Sequence, residues 1–209
     1  MALILAIAVV FVLLVVSEIW WRSRRPHDEF SRKFIHISVG SFVAFWPFFL
    51  AWQQIRWLGV AFVVGVVVSK YFKVFTAIHA VERPTYGEVC FALAVVALTY
   101  VTHSRGIYMV AVLHMGLADG LAALSGTVYG GNNSYKVWGH KKSLAGSVAF
   151  LLCSVLLLVV YATVQPHIIP PAVVLALALG ATILENVAVL GLDNLVVPVL
   201  LAIALQAAS

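Results

Sequence analysis

Long apolar runs recur along this chain and limit what it can fold into. A helix that spans a bilayer needs about 20 mostly apolar residues. Candidate runs lie near residues 2 to 21, 34 to 52, 56 to 69, 88 to 102, 107 to 129, 144 to 164, 170 to 190 and 194 to 207. Only 10% of the residues are charged, too few to cover a water-soluble globule. We therefore predict an all-α fold, a polytopic integral membrane bundle of seven to eight transmembrane helices, and we expect no nucleic-acid partner.

The distribution of Lys and Arg predicts the orientation of this bundle. The first apolar run has no basic residue ahead of its core and is followed at once by three arginines, which is typical of an uncleaved anchor. If eight spans alternate from an outside N-terminus, eleven Lys and Arg residues face the cytoplasm and two, Arg56 and Arg105, face outward. This positive-inside bias predicts that the N-terminus lies outside.

Four of the eight acidic residues fall within the predicted spans or at their cytoplasmic edge: Glu88, Asp119, Glu185 and Asp193. Charged side chains inside a membrane are costly, and they are tolerated where they are paired, bind a metal or line a wet cavity. Asp119 is the strongest signal because it lies deep in an apolar run. Close helix packing explains the small residues around it, Gly126 and Gly130 included, but does not explain the carboxylate.

Two basic segments lie on the same predicted face of the membrane. In the first, Lys33 or Arg32, His36 and Gly40 fall on one side of a helix. In the second, Lys141, Lys142 and Ser143 precede a helix, whose free N-H groups favour a phosphate, with Ser143 as N-cap and small residues after it that leave room for a ligand. Each has a plainer alternative, since Lys and Arg also anchor helix ends at the bilayer surface.

The remaining acidic residues also have two interpretations. Glu88 either contributes to a site or complements the positive N-terminus of the span that it opens. Asp193 and Asn194 either join a site or cap the last helix. Because carboxylates and cations gather on one face without a Cys or Ser nucleophile arrangement, the set favours phosphoryl transfer, which depends on charge stabilisation and alignment.

Taken together and in order, these motifs resemble those of the dolichol kinase and phytol kinase family. The resemblance covers about residues 30 to 200 and rests on five motifs: Arg32-Lys33-x-x-His36-x-x-x-Gly40, Arg83-x-x-x-Gly87-Glu88, Asp119-x-x-Ala122-x-x-x-Gly126-x-x-x-Gly130, Lys142-Ser143-x-x-Gly146-Ser147, and Glu185 with Asp193-Asn194-x-x-x-Pro198. It implies a membrane kinase that uses CTP and Mg²⁺, or another divalent cation, to phosphorylate a lipid alcohol such as a polyprenol, a phytol-like alcohol or diacylglycerol.

The resemblance also implies roles for individual residues. Asp119, Glu88 and Glu185 would be catalytic, and Asp119, Glu185 and Asp193 would bind the metal. The nucleotide and its phosphates would be held by a larger set: Arg32, Lys33, His36, Lys141, Lys142, Ser143, Gly126, Gly130 and Asn194. Residues 1–29 would form an N-terminal transmembrane anchor and basic loop, and residues 30–209 the membrane-embedded catalytic bundle. Because the chain is shorter than eukaryotic dolichol kinases, we expect a microbial cell membrane, with the active site facing the cytoplasm.

Two other functions compete with this interpretation. Asp119-Gly120-Leu121-Ala122 matches the start of the CDP-alcohol phosphotransferase motif, but Ala123 stands where that family has Arg, and no pair of aspartates follows Gly130. A transporter could use Asp119 and Glu185 to carry protons or bind substrate. Its charged groups would however be expected near the bilayer midplane rather than at one face.

Overall fold

The computed structural model describes residues 1–24, 28–72, 86–165 and 169–208, and these are almost entirely helical. The helices are α1 (Ala2–Arg24), α2 (Asp28–Ala44), α3 (Trp52–Phe72), α4 (Gly87–Val101), α5 (Arg105–Leu113), α6 (Asp119–Tyr129), α7 (Leu144–Val164), α8 (Pro171–Val187) and α9 (Asp193–Ala208). A 3-10 turn spans Trp46–Phe48, and a π-helical turn, His114–Ala118, joins α5 to α6. The order of the helices follows the predicted apolar runs.

The fold is helical, as predicted, and one small β-hairpin accompanies the helices. Two short strands, β1 (Ser134–Val137) and β2 (His140–Ser143), pair antiparallel between α6 and α7. The turn residues Trp138 and Gly139 both have positive φ, +49° and +81°. Paired positive φ values characterise the two-residue hairpin turn whose twist matches that of its strands. The polar segment between α6 and α7 is therefore a hairpin.

Four helical stretches are long and apolar enough to cross a membrane: Ala2–Trp20, Trp52–Ser69, Arg105–Tyr129 and Leu144–Val164. Three further apolar helices, α4, α8 and α9, are shorter. The chain is thus a helical membrane protein. The predicted seven to eight crossings and the outside N-terminus stay predictions.

The Arg105–Tyr129 stretch forms the centre of the bundle. About 67% of it is buried within the protein, compared with 17% for the apolar windows of α1 and α3. The outer helices present apolar side chains such as Phe11 and Val64 away from the bundle, as lipid-facing helices do. The central helix is therefore the one that holds functional groups away from lipid.

Glycines let two helices approach the central one closely. A Cβ on Gly40 would lie 2.8 Å from Cα of Gly116, so α2 meets the π-helical turn backbone to backbone. A Cβ on Gly146 would lie 2.9 Å from the carbonyl oxygen of Ala122, so the first turn of α7 rests on α6. These contacts bring the polar end of α2 and the N-terminus of α7 against the start of α6.

Candidate active site

Three carboxylates from different helices converge at one end of the bundle. One oxygen from each of Asp119, Glu185 and Asp193 lies within 4.8 Å of the others. Asp119 opens α6, Glu185 lies in the last turn of α8, and Asp193 opens α9. We call these three residues the carboxylate cluster. The short α8–α9 connection, which turns through positive φ at Leu190 and Gly191, brings Asp193 back beside Glu185.

Two lysines offset part of the negative charge of the three carboxylates. Nζ of Lys33 lies 2.5 Å from Oδ2 of Asp119, and both residues are buried. Nζ of Lys142 lies 2.5 Å from Oε1 of Glu185 and 3.9 Å from Oδ2 of Asp193. It also donates to the backbone carbonyl of Glu185 at 2.7 Å. Buried charges persist only when they are paired in this way.

Lys142, which lies in the hairpin outside the spans, is held in its charged form. Burial lowers the pKa of Lys142, but the carboxylates of Glu185 and then Asp193 raise it by more, so the pKa stands above its usual value. The ammonium group therefore stays protonated at physiological pH. It can donate to anionic oxygens, whether these belong to carboxylates or to a ligand.

His36 of α2 is a second residue of that helix that lies beside Asp119. Its Nε2 lies 2.8 Å from the carbonyl oxygen of Met115 and 3.4 Å from Oδ2 of Asp119. Because a carbonyl oxygen only accepts, Nε2 carries the proton and donates it to Met115. Met115 lies in the π-helical turn, a type of distortion that often marks functional sites. The turn thus presents a carbonyl to His36 just before the helix presents Asp119.

The N-terminus of α7 lies beside the cluster and is capped as predicted. Oγ of Ser143 accepts a hydrogen bond from the amide of Gly146 at 3.0 Å. Gly126 and Gly130 of the central helix face Ser143, since a Cβ on Gly126 would lie 2.9 Å from its Oγ. The expectation that the small residue at 146 leaves room for a ligand is wrong, because Ala122 of the neighbouring helix fills that space.

A polar network that we did not predict ties the hairpin to the cluster. The Tyr135 hydroxyl hydrogen-bonds Oδ1 of Asn186 and lies 2.7 Å from Oγ of Ser147. Ser147 in turn donates to Oδ1 of Asn186 at 2.8 Å. Asn186 follows Glu185 directly, so this network positions the last turn of α8. The sequence signal for Asn186 is an amide next to the carboxylate of Glu185 at the end of an apolar run. No sequence signal indicates Tyr135.

Several other predicted site residues do not join the carboxylate cluster. Lys141 is exposed, since it alternates with Lys142 along β2. Glu88 and Asn194 do not join the three carboxylates and instead line an apolar cleft beside His36. The side chain of Arg32, and all of Arg83, lie outside the described residues. The structure therefore brings together Asp119, Glu185, Asp193, Lys33, His36 and Lys142, with Ser143, Gly126 and Gly130 adjacent.

The donor set of the cluster fits a hard divalent cation. Carboxylate oxygens are the ligands that Mg²⁺ uses in proteins, usually with water and substrate phosphates completing the shell. Asp119, Glu185 and Asp193 supply such oxygens at a mutual spacing that one ion can bridge. Among the residues that the structure describes, no other group of His, Cys, Asp and Glu has this spacing.

Sequence comparison identifies a relative of the chain. A phytol kinase of Synechocystis sp. is 32% identical over 178 residues, which cover 81% of this chain and 75% of that protein. The chain belongs to the phytol kinase and dolichol kinase-like family. No family profile and no solved structure matches it.

Proposed function

We propose that the protein is a lipid alcohol kinase, which transfers the γ-phosphate of CTP to the hydroxyl of a lipid alcohol at the cytoplasmic face of the membrane. The observation that carries this proposal is the convergence of Asp119, Glu185 and Asp193 with Lys33 and Lys142. The phytol kinase relative supports the class of reaction. A polyprenol, a phytol-like alcohol and diacylglycerol are the acceptors that we consider.

The residues of the cluster suit the donor half of this reaction. Asp119, Glu185 and Asp193 would hold the divalent cation, which when bound neutralises charge on the transferred phosphate. Lys33 and Lys142 each have three donor hydrogens, so they can contact phosphate oxygens while they remain near their carboxylate partners. Ser143 and the exposed Lys141 flank the N-terminus of α7, where the helix dipole favours an anion.

The phosphoryl transfer forms one bond to the γ-phosphorus and breaks another. The hydroxyl oxygen of the alcohol bonds to the γ-phosphorus, and the bond from that phosphorus to the β,γ-bridging oxygen breaks. CDP leaves, and a carboxylate accepts the hydroxyl proton, with Asp119 as the leading candidate and Glu88 as the carboxylate nearest the apolar cleft. Lys33 and Lys142 stabilise the negative charge that moves to the departing diphosphate.

The proposed topology places this site where both substrates can reach it. Eleven Lys and Arg residues on the predicted cytoplasmic side favour a site that opens to the soluble nucleotide there. In this arrangement residues 1–29 act as an anchor and basic loop, and residues 30–209 form the catalytic bundle in a microbial cell membrane. The lipid alcohol approaches from the bilayer and CTP approaches from water.

Purified protein in detergent tests the proposal. The assay supplies γ-labelled CTP or ATP, Mg²⁺ and, one at a time, phytol, a polyprenol or diacylglycerol. We expect labelled lipid phosphate from CTP and release of CDP. Transfer from ATP alone would refute the choice of donor. Release of pyrophosphate or CMP would indicate a cytidylyl- or alcohol-phosphotransferase, and a lack of any labelled lipid would reject the kinase.

A further inference from the structure

An apolar cleft adjoins the carboxylate cluster on the side of α2. The space between its walls is about 550 Å³ when the open space at its mouth is included. Five helices supply its walls: α1 with Leu14, α2 with His36, α3 with Phe62 and Val66, α4 with Glu88, and α9 with Asn194. Its lining is mostly aliphatic and aromatic, with three polar side chains.

One of these polar side chains has an unsatisfied acceptor. Asn194 is only 5% exposed, and its Nδ2 donates to the carbonyl oxygen of Gly87 at 3.2 Å. Because that carbonyl only accepts, the amide orientation is fixed and Oδ1 is its other atom. Among the described residues, no donor reaches Oδ1. Buried polar atoms nearly always have a partner, so this oxygen indicates a ligand that brings a donor hydrogen.

The polar end of the cleft lies next to the proposed chemistry. His36 lines the cleft, and its Nε2 is 3.4 Å from Oδ2 of Asp119. Asn194 follows Asp193 of the cluster directly along the chain. The ring of Phe91 lies 5.2 Å from that of His36, and the ring of Phe62 lies 5.9 Å from that of Phe91. The cleft therefore joins a polar group beside the cluster to a series of apolar side chains.

The apolar end of the cleft lies between the two helices that are least buried in the bundle. α1 packs mainly on α2, and α3 packs mainly on α4. Leu14 of α1 and Phe62 of α3 both line the cleft, and the helices that carry them are largely exposed outside the bundle. This is therefore the end that a molecule dissolved in the bilayer would reach.

We propose that this cleft is the acceptor site for a lipid alcohol. The hydroxyl of the alcohol donates a hydrogen bond to Oδ1 of Asn194. Its chain lies along apolar side chains of three helices: Leu14, Phe62, Val66 and Phe91. The proposal rests on the kinase function given above and moves Asn194 from the nucleotide side to the acceptor side. A nucleotide is a poor occupant, because its phosphates would meet apolar walls and the carboxylate of Glu88. A hydroxyl on an apolar chain matches both ends of the cleft.

Blocking the apolar end tests where the chain lies. In Val66→Trp the added ring fills the cleft, whereas Val64→Trp places the same ring on the lipid-facing side of the same helix, where the valine is 57% exposed. We expect Val66→Trp to raise the KM for phytol by roughly tenfold or more and to leave the KM for CTP unchanged. Val64→Trp should match the wild type. Equal phytol KM values in both variants would overturn the proposal.

Binding without nucleotide tests the same site if Val66→Trp does not fold. A diazirine analogue of phytol, added to wild-type protein without CTP or Mg²⁺, should label peptides from α1, α2, α3 and α4, and phytol should compete. Labelling elsewhere, or competition by CTP, would overturn the proposal. Labelling of the cleft by protein that phosphorylates no alcohol would keep the binding site but reject the kinase, so the two failures are distinguishable.

The role of Asn194 is tested by removing the donor from the ligand. Phytyl methyl ether has no O-H group, so it should compete for labelling of the wild type at least about tenfold more weakly than phytol, the range expected when a buried acceptor loses its partner. In Asn194→Leu the two competitors should become equal. Equal competition in the wild type would refute the contact, and this measurement does not depend on the variant.

Discussion

The ammonium group of Lys142 bridges two carboxylates from different helices, since its Nζ lies 2.5 Å from Oε1 of Glu185 and 3.9 Å from Oδ2 of Asp193. The hairpin that carries Lys142 is held in place by Tyr135, which hydrogen-bonds Asn186. One cation thus joins α8, α9 and the hairpin. The position of this lysine sets the shape of the cluster as well as its charge.

Removal of the Lys142 ammonium should therefore abolish the reaction. We expect Lys142→Ala to lower kcat by about a hundredfold or more, the usual cost of losing a group that stabilises developing charge. Lys136→Ala is the matched control, because Lys136 is an exposed lysine of the same hairpin. Initial rates of labelled lipid phosphate formation measure both. Near wild-type activity in Lys142→Ala would remove this lysine from the mechanism.

The Lys33–Asp119 pair should affect stability and catalysis separately. Asp119→Asn leaves Lys33 buried beside a neutral amide, so we expect a loss of activity and a destabilisation of about 3 kcal/mol or more. The double variant Lys33→Met, Asp119→Asn should regain thermal stability in detergent but remain inactive. A double variant that melts like Asp119→Asn would show that the pair does not carry the stability. Activity in either variant would exclude Asp119 from the chemistry.

We expect the reaction to need a divalent cation that the carboxylate cluster binds. Chelation of divalent cations should stop the reaction, and added Mg²⁺ should restore it. Asp193→Asn removes one negative charge from the cluster. We therefore expect the Mg²⁺ concentration that gives half-maximal activity to rise by about tenfold or more, as is common when a metal site is disturbed. The KM for phytol should hardly change. A Mg²⁺ dependence like that of the wild type would place the metal elsewhere.

The contact of α2 with the central helix should be sensitive to one methyl group. In Gly40→Ala the new Cβ would lie 2.8 Å from Cα of Gly116, so α2 must move and carry Lys33 and His36 away from Asp119. We expect a destabilisation of about 1 to 3 kcal/mol, with lower activity. Gly65→Ala is the control, because nothing lies within 4 Å of its added Cβ. Melting and rate measurements on both variants decide the point, and equal values would contradict it.

Local sequence patterns predict the helices and the polar residues of the site, but they do not predict which of these residues contact each other. Apolar runs and the Ser143 cap are local properties, and the structure agrees with both. The pairing of Lys33 with Asp119 joins residues 86 positions apart, which no local pattern specifies. The hairpin depends on the turn at Trp138, whose positive φ is unusual for a tryptophan. The bond of Asn194 to Gly87 and its unsatisfied oxygen exist only in the folded bundle, so the sequence does not distinguish an acceptor role from a nucleotide role for this residue.

The π-helical turn at His114–Ala118 also gives the central helix room for one residue more than a regular α-helical turn holds. Deletion of one residue there would let the segment close into an uninterrupted α-helix of equally apolar composition. The widened turn, in which Met115 presents its carbonyl oxygen to His36, would then be lost. Hydropathy would not register the change, although the contact that fixes the imidazole next to Asp119 would disappear.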